Sequence, residues 1–230
     1  MKEHILDQGR KFLISYIKDK EVNHDRVHLW RNNWEFIGLH SFRVESYVNK
    51  ILGRENRGLS EGEIILTRLA AILHDIGRII KKEGHALKGR EIVHNWLKEN
   101  PSIYNSMEEP NRLLYLIEKH SNKREDEEDY CLKVLRDADI LDEIGVLSIF
   151  MASNWIDKRD PYFFQKLQDR IGNFEIDFID RGFKLLNTDG AKSILKEKRE
   201  FIVKFNEQLK DELIGTEMFG QVNLEDYFNN

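Results

Sequence analysis

His74 and Asp75 stand side by side at the end of a mostly apolar run, residues 64–73. Such a run is typical of a buried helix, and a buried imidazole or carboxylate needs a polar partner or an ion to offset its lost hydration. Imidazole nitrogens and carboxylate oxygens are both common metal ligands. The pair therefore indicates a metal-binding site.

Further candidate ligands occur before and after this pair. In chain order the set is His40, His74, Asp75, His85, His120 and Asp139. Adjacent residues of a helix point about 100° apart, so His74 and Asp75 can reach one ion only if it lies over the edge between them. The other ligands must then come from other helices.

Each of these residues also has an ordinary structural interpretation. A single histidine on a helix is usually a hydrogen-bonded core or surface group, and this holds for His85 and His120 taken alone. A second His-Asp pair, His24-Asp25, follows no apolar run and is interpreted as a solvated helix start. It is the ordered set, and no single member, that favours metal binding.

The order of the six residues resembles the HD-domain superfamily of metal-dependent phosphohydrolases. Residues 40–44 (HSFRV) are similar to the family's H-x-x-R-V segment, and residues 137–142 (DADILD) are similar to D-A-D-x-L-D. Residues 70–77 (AAILHDIG), the continuation after residue 141 and the tail after residue 188 look like the compact bacterial members. The resemblance covers most of the chain.

This resemblance implies a set of metal ligands. One divalent ion would be held by His40, His74, Asp75 and Asp139. In dinuclear members two intervening histidines hold a second ion, and here these are His85 and His120, with Asp75 bridging the two ions. One ion and two ions both stay open, with iron, manganese, zinc, magnesium, nickel and cobalt as candidates. Asp137 and Asp142 would be supporting groups.

The implied function is a metal-dependent phosphohydrolase that cleaves a phosphoester of a nucleotide or another small phosphorylated metabolite. A bound ion lowers the pKa of its water and neutralises phosphoryl oxygens, with Asp75 as the catalytic carboxylate. Phosphate also favours nearby cations, and Arg43 and Arg78 are the candidates for phosphate contact. A structural ion pair is the alternative for each arginine.

Two other functions stay open. Some HD proteins with the same six-ligand order use two irons to activate oxygen, and the site could also serve a nucleotide-sensing module with little turnover. No Gly-Tyr-Pro follows the His-Asp pair, which continues as residues 76–80 (IGRII). That departure disfavours the cyclic-dinucleotide phosphodiesterase branch.

The elements that must position these residues are helices. Apolar residues recur at helical spacing and only three prolines occur, so we predict an all-α HD-domain helical bundle with a C-terminal helical extension. The predicted helices are 3–19, 34–53, 61–82, 85–99, 110–121, 127–138, 141–154, 162–186 and 188–215. We expect a single HD domain over residues 1–230, with a metal-binding core at about 34–154 and C-terminal helices at about 160–216.

Composition limits the partners. A formal charge of -5 with interspersed signs provides no global field for a polyanion, so nucleic acid is not expected. Cys131 is the only cysteine, which fits a reducing compartment. The first residues are too charged for a signal peptide, and no stretch is long enough to span a bilayer. We expect a cytoplasmic monomer or homodimer, without membrane contact, that binds a small phosphorylated substrate.

Overall fold

The structure is a computed structural model, and it describes residues 2–22 and 24–214 of the chain. Within these residues every named element is helical, and the β-type pairing is one isolated bridge between Glu21 and Asn33. The predicted all-α class is confirmed. Among the same residues, no helix is both long and apolar enough to cross a bilayer.

The described residues form α-helices joined by turns and by longer loops. The α-helices are α1 (Lys2–Ile17), α2 (Trp34–Leu52), α3 (Glu61–Leu73), α4 (His85–Glu99), α5 (Pro101–Ser106), α6 (Pro110–Lys119), α7 (Tyr130–Glu143), α8 (Val146–Ser153), α9 (Phe163–Arg170), α10 (Ile176–Phe183) and α11 (Asp189–Ile214). Two 3-10 turns, Leu29–Asn32 and Ile76–Ile79, and a π-helical turn, Ile171–Glu175, complete the set.

Local sequence signals explain where the helices that lead to the candidate ligands begin. The side chain of Asn33 accepts a hydrogen bond from the backbone N–H of Glu35 at 3.0 Å and caps α2. Ser60 and Glu63 bond to each other's backbone N–H groups and form a capping box at α3. Pro110 occupies the first turn of α6, where the missing N–H costs nothing.

The described residues form two compact units. The first comprises the chain up to Glu143 together with Leu185–Ile194, and the second comprises Ile144–Lys184 and the chain from Leu195 onward. The long helix α11 therefore begins in the first unit and continues in the second. The single domain expected over 1–230 stays a prediction, and its residues 215–230, including the predicted helix ends near 215 and 216, lie outside the described residues.

The first unit has its core around α2, which packs against α3 and α7, while α1 covers α3 and α4 lies against α6. Arg136 on α7 is completely buried, and its guanidinium donates to the carbonyl oxygens of Lys119 and Glu125. A buried guanidinium needs such acceptors to offset its desolvation. These bonds hold the chain that follows α6.

The helix predicted over 61–82 ends earlier than expected. α3 stops at Leu73, Asp75 has φ -101° and ψ 7°, and the 3-10 turn Ile76–Ile79 follows. The apolar spacing continues through this segment, which is why the sequence did not reveal the break. As a result, the backbone changes direction at the His-Asp pair.

Close packing of two backbones accompanies this early end. A Cβ atom on Gly77 would lie 2.1 Å from the carbonyl oxygen of His85 and 2.6 Å from the backbone nitrogen of Gly89. The segment after the His-Asp pair thus lies directly against the first turns of α4. Only a glycine permits this approach, and it is a tertiary contact that helical periodicity does not encode.

The helices predicted over 127–138 and 141–154 are divided differently. α7 runs without a break through Glu143, and α8 begins at Val146. The interruption lies at Gly145, whose φ of 113° is outside the helical region. Asp139 consequently lies within a continuous helix.

In the second unit, the helix predicted over 162–186 is divided by the π-helical turn Ile171–Glu175, with α9 before it and α10 after it. The guanidinium of Arg199 on α11 donates to Asp180 on α10 at 2.6 Å. None of the six candidate ligands belongs to this unit.

Candidate metal centre

The six candidate ligands converge within the first unit. Each comes from a helix or a helix end: His40 from α2, His74 and Asp75 from the end of α3, His85 from the start of α4, His120 from the residue after α6, and Asp139 from α7. Their ligand atoms form three overlapping groups, each within 4.8 Å: His40, His74 and Asp75; His74, His120 and Asp139; Asp75, His85 and His120. The fold therefore brings together residues that lie up to about a hundred positions apart.

The histidine rings use one nitrogen for orientation and turn the other inward. In three of them Nδ1 lies within hydrogen-bond distance of the carbonyl oxygen three residues earlier, at 2.8 Å for His74, 2.8 Å for His85 and 2.7 Å for His120. Because a carbonyl oxygen only accepts, Nδ1 must donate in each case. Nε2 of the neutral ring then carries no proton, and its lone pair is available to a metal ion.

The inward nitrogens meet in two pairs. Nε2 of His40 lies 3.2 Å from Nε2 of His74, and Nε2 of His85 lies 3.2 Å from Nε2 of His120. Two unprotonated imidazole nitrogens would repel each other at this distance, so the arrangement requires a proton or a cation. The residues present therefore fit a metal ion.

The carboxylate of Asp75 faces both pairs. Its Oδ1 lies 3.1 Å from Nε2 of His85 and 3.5 Å from that of His120. Its Oδ2 lies 3.4 Å from Nε2 of His40 and 3.9 Å from that of His74. One oxygen is thus available to each histidine pair, which is the arrangement that a bridging carboxylate needs.

Asp139 completes the cluster from α7. Its Oδ1 lies 3.4 Å from Nε2 of His40 and 3.8 Å from that of His74. Its Oδ2 forms an ion pair with Nζ of Lys123 at 2.7 Å. Lys123 follows His120 by three residues, but the sequence alone did not connect it with Asp139. The lysine fixes the orientation of the Asp139 carboxylate.

The two candidate arginines contact carboxylates of the site. Arg43 donates to Asp142 through Nε at 2.7 Å and Nη2 at 2.9 Å, and Asp142 also lies 2.7 Å from Nδ1 of His40. Arg78 donates to Oδ2 of Asp75 at 3.1 Å. Asp142 therefore orients the His40 ring, whereas Arg78 is adjacent to the carboxylate that faces both histidine pairs.

The electrostatic environment keeps both cluster carboxylates charged. Burial alone would raise the pKa of Asp75, but the charge of Arg78, together with hydrogen bonds from His120 and His40, outweighs burial and holds that pKa well below its usual range. Burial likewise opposes ionisation of Asp139, and Lys123 outweighs it, so the pKa of Asp139 is also well below its usual range. Two fixed negative charges thus lie among the imidazoles.

The imidazoles respond to these charges differently. Burial disfavours a charged His40, but Asp139, Asp142 and Asp75 outweigh burial and raise the pKa of His40 well above its ordinary value. Burial dominates at His120, where the pKa is lowered. The carboxylates therefore favour a positive charge at His40, which a bound cation would supply in place of a proton, and the neutral ring favoured at His120 has the lone pair that ligation needs.

Asp137 lies outside the cluster although it belongs to the same acidic segment. Its buried carboxylate accepts hydrogen bonds from the backbone N–H groups of Asn187 and Thr188 and from the Thr188 hydroxyl at 2.8 Å. Burial raises the pKa of Asp137. This aspartate has a structural role at the start of α11.

The sequence model of one family, the HD domain, matches residues 37–144, a segment that contains all six candidate ligands. No curated protein matches the chain.

Solved structures share the fold at low sequence identity. An HD-superfamily hydrolase from Bacillus thuringiensis has a TM-score of 0.62 at 20% identity, covering 94% of this chain and 100% of the other. Bacillus subtilis YpgQ in complex with ADP has a TM-score of 0.59 at 22% identity, covering 93% and 97%. A predicted HD superfamily hydrolase from an uncultured Thermotogales bacterium has a TM-score of 0.59 at 20% identity, covering 90% and 92%.

Proposed function

We propose that the chain is a metal-dependent phosphohydrolase of the HD-domain superfamily, whose sequence model matches residues 37–144. Its substrate is a phosphoester of a nucleotide or of another small phosphorylated metabolite. The observation that carries the proposal is the position of the Asp75 carboxylate between two pairs of inward-facing imidazole nitrogens.

We assign the ligands as follows. His40, His74, Asp75 and Asp139 would hold one ion. His85 and His120 would hold a second ion, which Asp75 would share with the first. Bound divalent ions supply a water of lowered pKa and neutralise phosphoryl oxygens. Asp75 is the catalytic carboxylate because it alone offers an oxygen to each histidine pair.

The surrounding cations have separate roles. Arg78 has five N–H donors, one of which reaches Asp75, and about a third of its side chain is exposed. A phosphate beside Asp75 can therefore accept from the remaining donors. Arg43 is directed at Asp142, so its contribution is to hold the carboxylate that orients His40. Lys123 holds Asp139.

A nucleotide is the favoured substrate class. YpgQ, which shares the fold, forms a complex with ADP. A nucleotide phosphate group supplies the anionic oxygens that Arg78 and two divalent ions would neutralise.

The test is metal-dependent release of phosphate or pyrophosphate from a panel of nucleotides and small phosphate monoesters. Asp75→Asn should abolish turnover because the neutral amide cannot serve both histidine pairs. Asp19→Asn is the matched control, since Asp19 is exposed and its left-handed backbone, φ 59°, suits asparagine.

Two results would reject the proposal. Substrate-dependent oxygen consumption by an iron-loaded protein, without phosphate release, would favour the diiron oxygenase. Nucleotide binding that Asp75→Asn weakens, with no turnover in the unmodified protein, would favour a sensing module.

A further inference from the structure

A polar cavity lies beside the candidate metal centre, within the first unit. It has a volume of about 350 Å³ including space open to solvent, and its lining includes His24, Asp25, Arg31, Arg78 and Lys82. Because Arg78 also donates to Asp75, the cavity adjoins the ligand cluster.

The charge of the lining favours an anion. Arg31 pairs with Glu143 at 3.0 Å and with Asp25 of the lining at 3.8 Å, and Arg78 pairs with Asp75 at 3.1 Å. Lys82 has no carboxylate partner among residues 2–22 and 24–214. Its ammonium group is therefore the lining cation that is left for a ligand once the two arginines are paired.

A buried polar atom also lacks a partner at this cavity. Nε2 of His24 is inaccessible to solvent and has no hydrogen-bond partner within the part of the chain that the structure describes. Buried polar groups are nearly always bonded, because leaving one unsatisfied costs free energy. An anionic oxygen in the cavity would accept from this nitrogen.

The segment that presents His24 is held in place by its own hydrogen bonds. The side-chain oxygen of Asn32 accepts from the backbone N–H groups of His24 and Asp25, both at 2.9 Å, and its amide donates to the carbonyl oxygen of Asp25. Oδ1 of Asp25 accepts from the backbone N–H groups of Val27 and His28. The cavity wall is thus organised before any ligand binds, which reduces the entropic cost of binding.

We propose that this cavity binds a second phosphate group of the substrate while a first phosphate lies at the metal centre. His24 and Lys82 donate to the second group, and Arg78 lies between the two positions. The inference rests on the proposed function and narrows it to substrates with linked phosphates, such as nucleoside diphosphates and triphosphates, in preference to monoesters.

Calorimetric titration of the metal-loaded protein with inorganic pyrophosphate and with inorganic phosphate tests the proposal. Lys82→Ala should weaken pyrophosphate binding about tenfold, as expected for loss of a charged hydrogen bond, and leave phosphate binding within twofold. Lys82→Arg should retain pyrophosphate binding. Lys81→Ala is the matched control, because Lys81 is exposed and lies outside the cavity lining.

His24 provides an independent variant pair. His24→Ala should weaken pyrophosphate binding about as much as Lys82→Ala, and His24→Gln should restore most of it because its amide nitrogen replaces Nε2 as donor. Equal weakening of phosphate and pyrophosphate binding, or no weakening of either, would overturn the proposal.

These titrations do not depend on turnover. If Lys82→Ala and His24→Ala selectively weaken pyrophosphate binding but no phosphoester is hydrolysed, the cavity is established and the proposed function fails. If phosphoesters are hydrolysed but neither variant affects pyrophosphate binding, the proposed function stands and the cavity is not a phosphate subsite.

Discussion

Nε2 of His85 lies 3.1 Å from Oδ1 of Asp75, the carboxylate oxygen that does not face His40. Asp75 is therefore shared between two halves of one cluster. A shared carboxylate couples the halves, but each half has its own pair of imidazoles. Removing one pair of imidazoles should consequently leave the other half of the cluster able to bind a metal ion.

We expect a His85→Ala, His120→Ala double variant to lower the metal content from two ions per chain to one. The variant removes both nitrogen ligands from the half that Oδ1 of Asp75 faces, and a single carboxylate oxygen is too few ligands for a stable site. Elemental analysis of protein purified without chelator measures this content.

A His4→Ala, His94→Ala double variant is the control, since neither residue belongs to the cluster. Its metal content per chain should equal that of the unmodified protein. One ion per chain in the unmodified protein and in both double variants would contradict the assignment of His85 and His120 as ligands.

Asp142→Asn should weaken metal binding about 10- to 100-fold, the range found when a group that orients a ligating histidine is changed. The amide retains the size of the carboxylate but loses the charge that faces Nδ1 of His40 and the Arg43 guanidinium. Competition with a chelating dye measures the metal affinity.

Asp180→Asn provides the comparison, because Asp180 also pairs with an arginine, Arg199, but contacts no candidate ligand. Its metal affinity should be unchanged. If both asparagine variants bind metal like the unmodified protein, Asp142 does not orient His40.

Gly77→Ala should destabilise the fold by about 3 kcal/mol, because the new Cβ would overlap backbone atoms that cannot rotate away. The segment after Asp75 would have to separate from α4. Urea unfolding monitored by circular dichroism gives the free energy of unfolding.

Gly58→Ala is the matched change at an open position, where a Cβ would meet nothing within 4 Å. It should leave the free energy of unfolding within about 1 kcal/mol of the original value. Equal stabilities of the two alanine variants would show that the close approach at Gly77 is not required.

Glu45→Ala should lower the free energy of unfolding by about 2 kcal/mol. Glu45 is buried and accepts from the guanidinium groups of Arg10 and Arg68, which would lose their shared partner. The value lies below the usual 3 to 5 kcal/mol for a broken buried pair because both arginines reach solvent. Urea unfolding again provides the measurement.

The control is Glu91→Ala, which removes an exposed partner of Lys88. Exposed pairs contribute little because water screens them, so this variant should unfold like the original protein. A Glu45→Ala variant as stable as Glu91→Ala would show that the buried network contributes no net stability.

The sequence by itself determined the helical class and the match to the HD-domain model over residues 37–144. Helical spacing of apolar residues follows directly from the geometry of 3.6 residues per turn. The order of histidines and aspartates is likewise visible in the chain, as is the His-Asp pair after the apolar run.

Only the tertiary structure decided how these residues face one another. Asp142 and His40 are separated by 102 positions, and no local pattern predicts which ring nitrogen the carboxylate contacts. The same applies to Lys123 and Asp139, whose contact depends on the turn that follows α6. The end of α3 at Leu73 goes with the packing of Gly77 against the backbone of α4, a contact between segments that no local pattern predicts. Residue spacing determines the face of a helix on which a residue lies. Side-chain rotamers and the contacts between helices distant in sequence depend on tertiary packing.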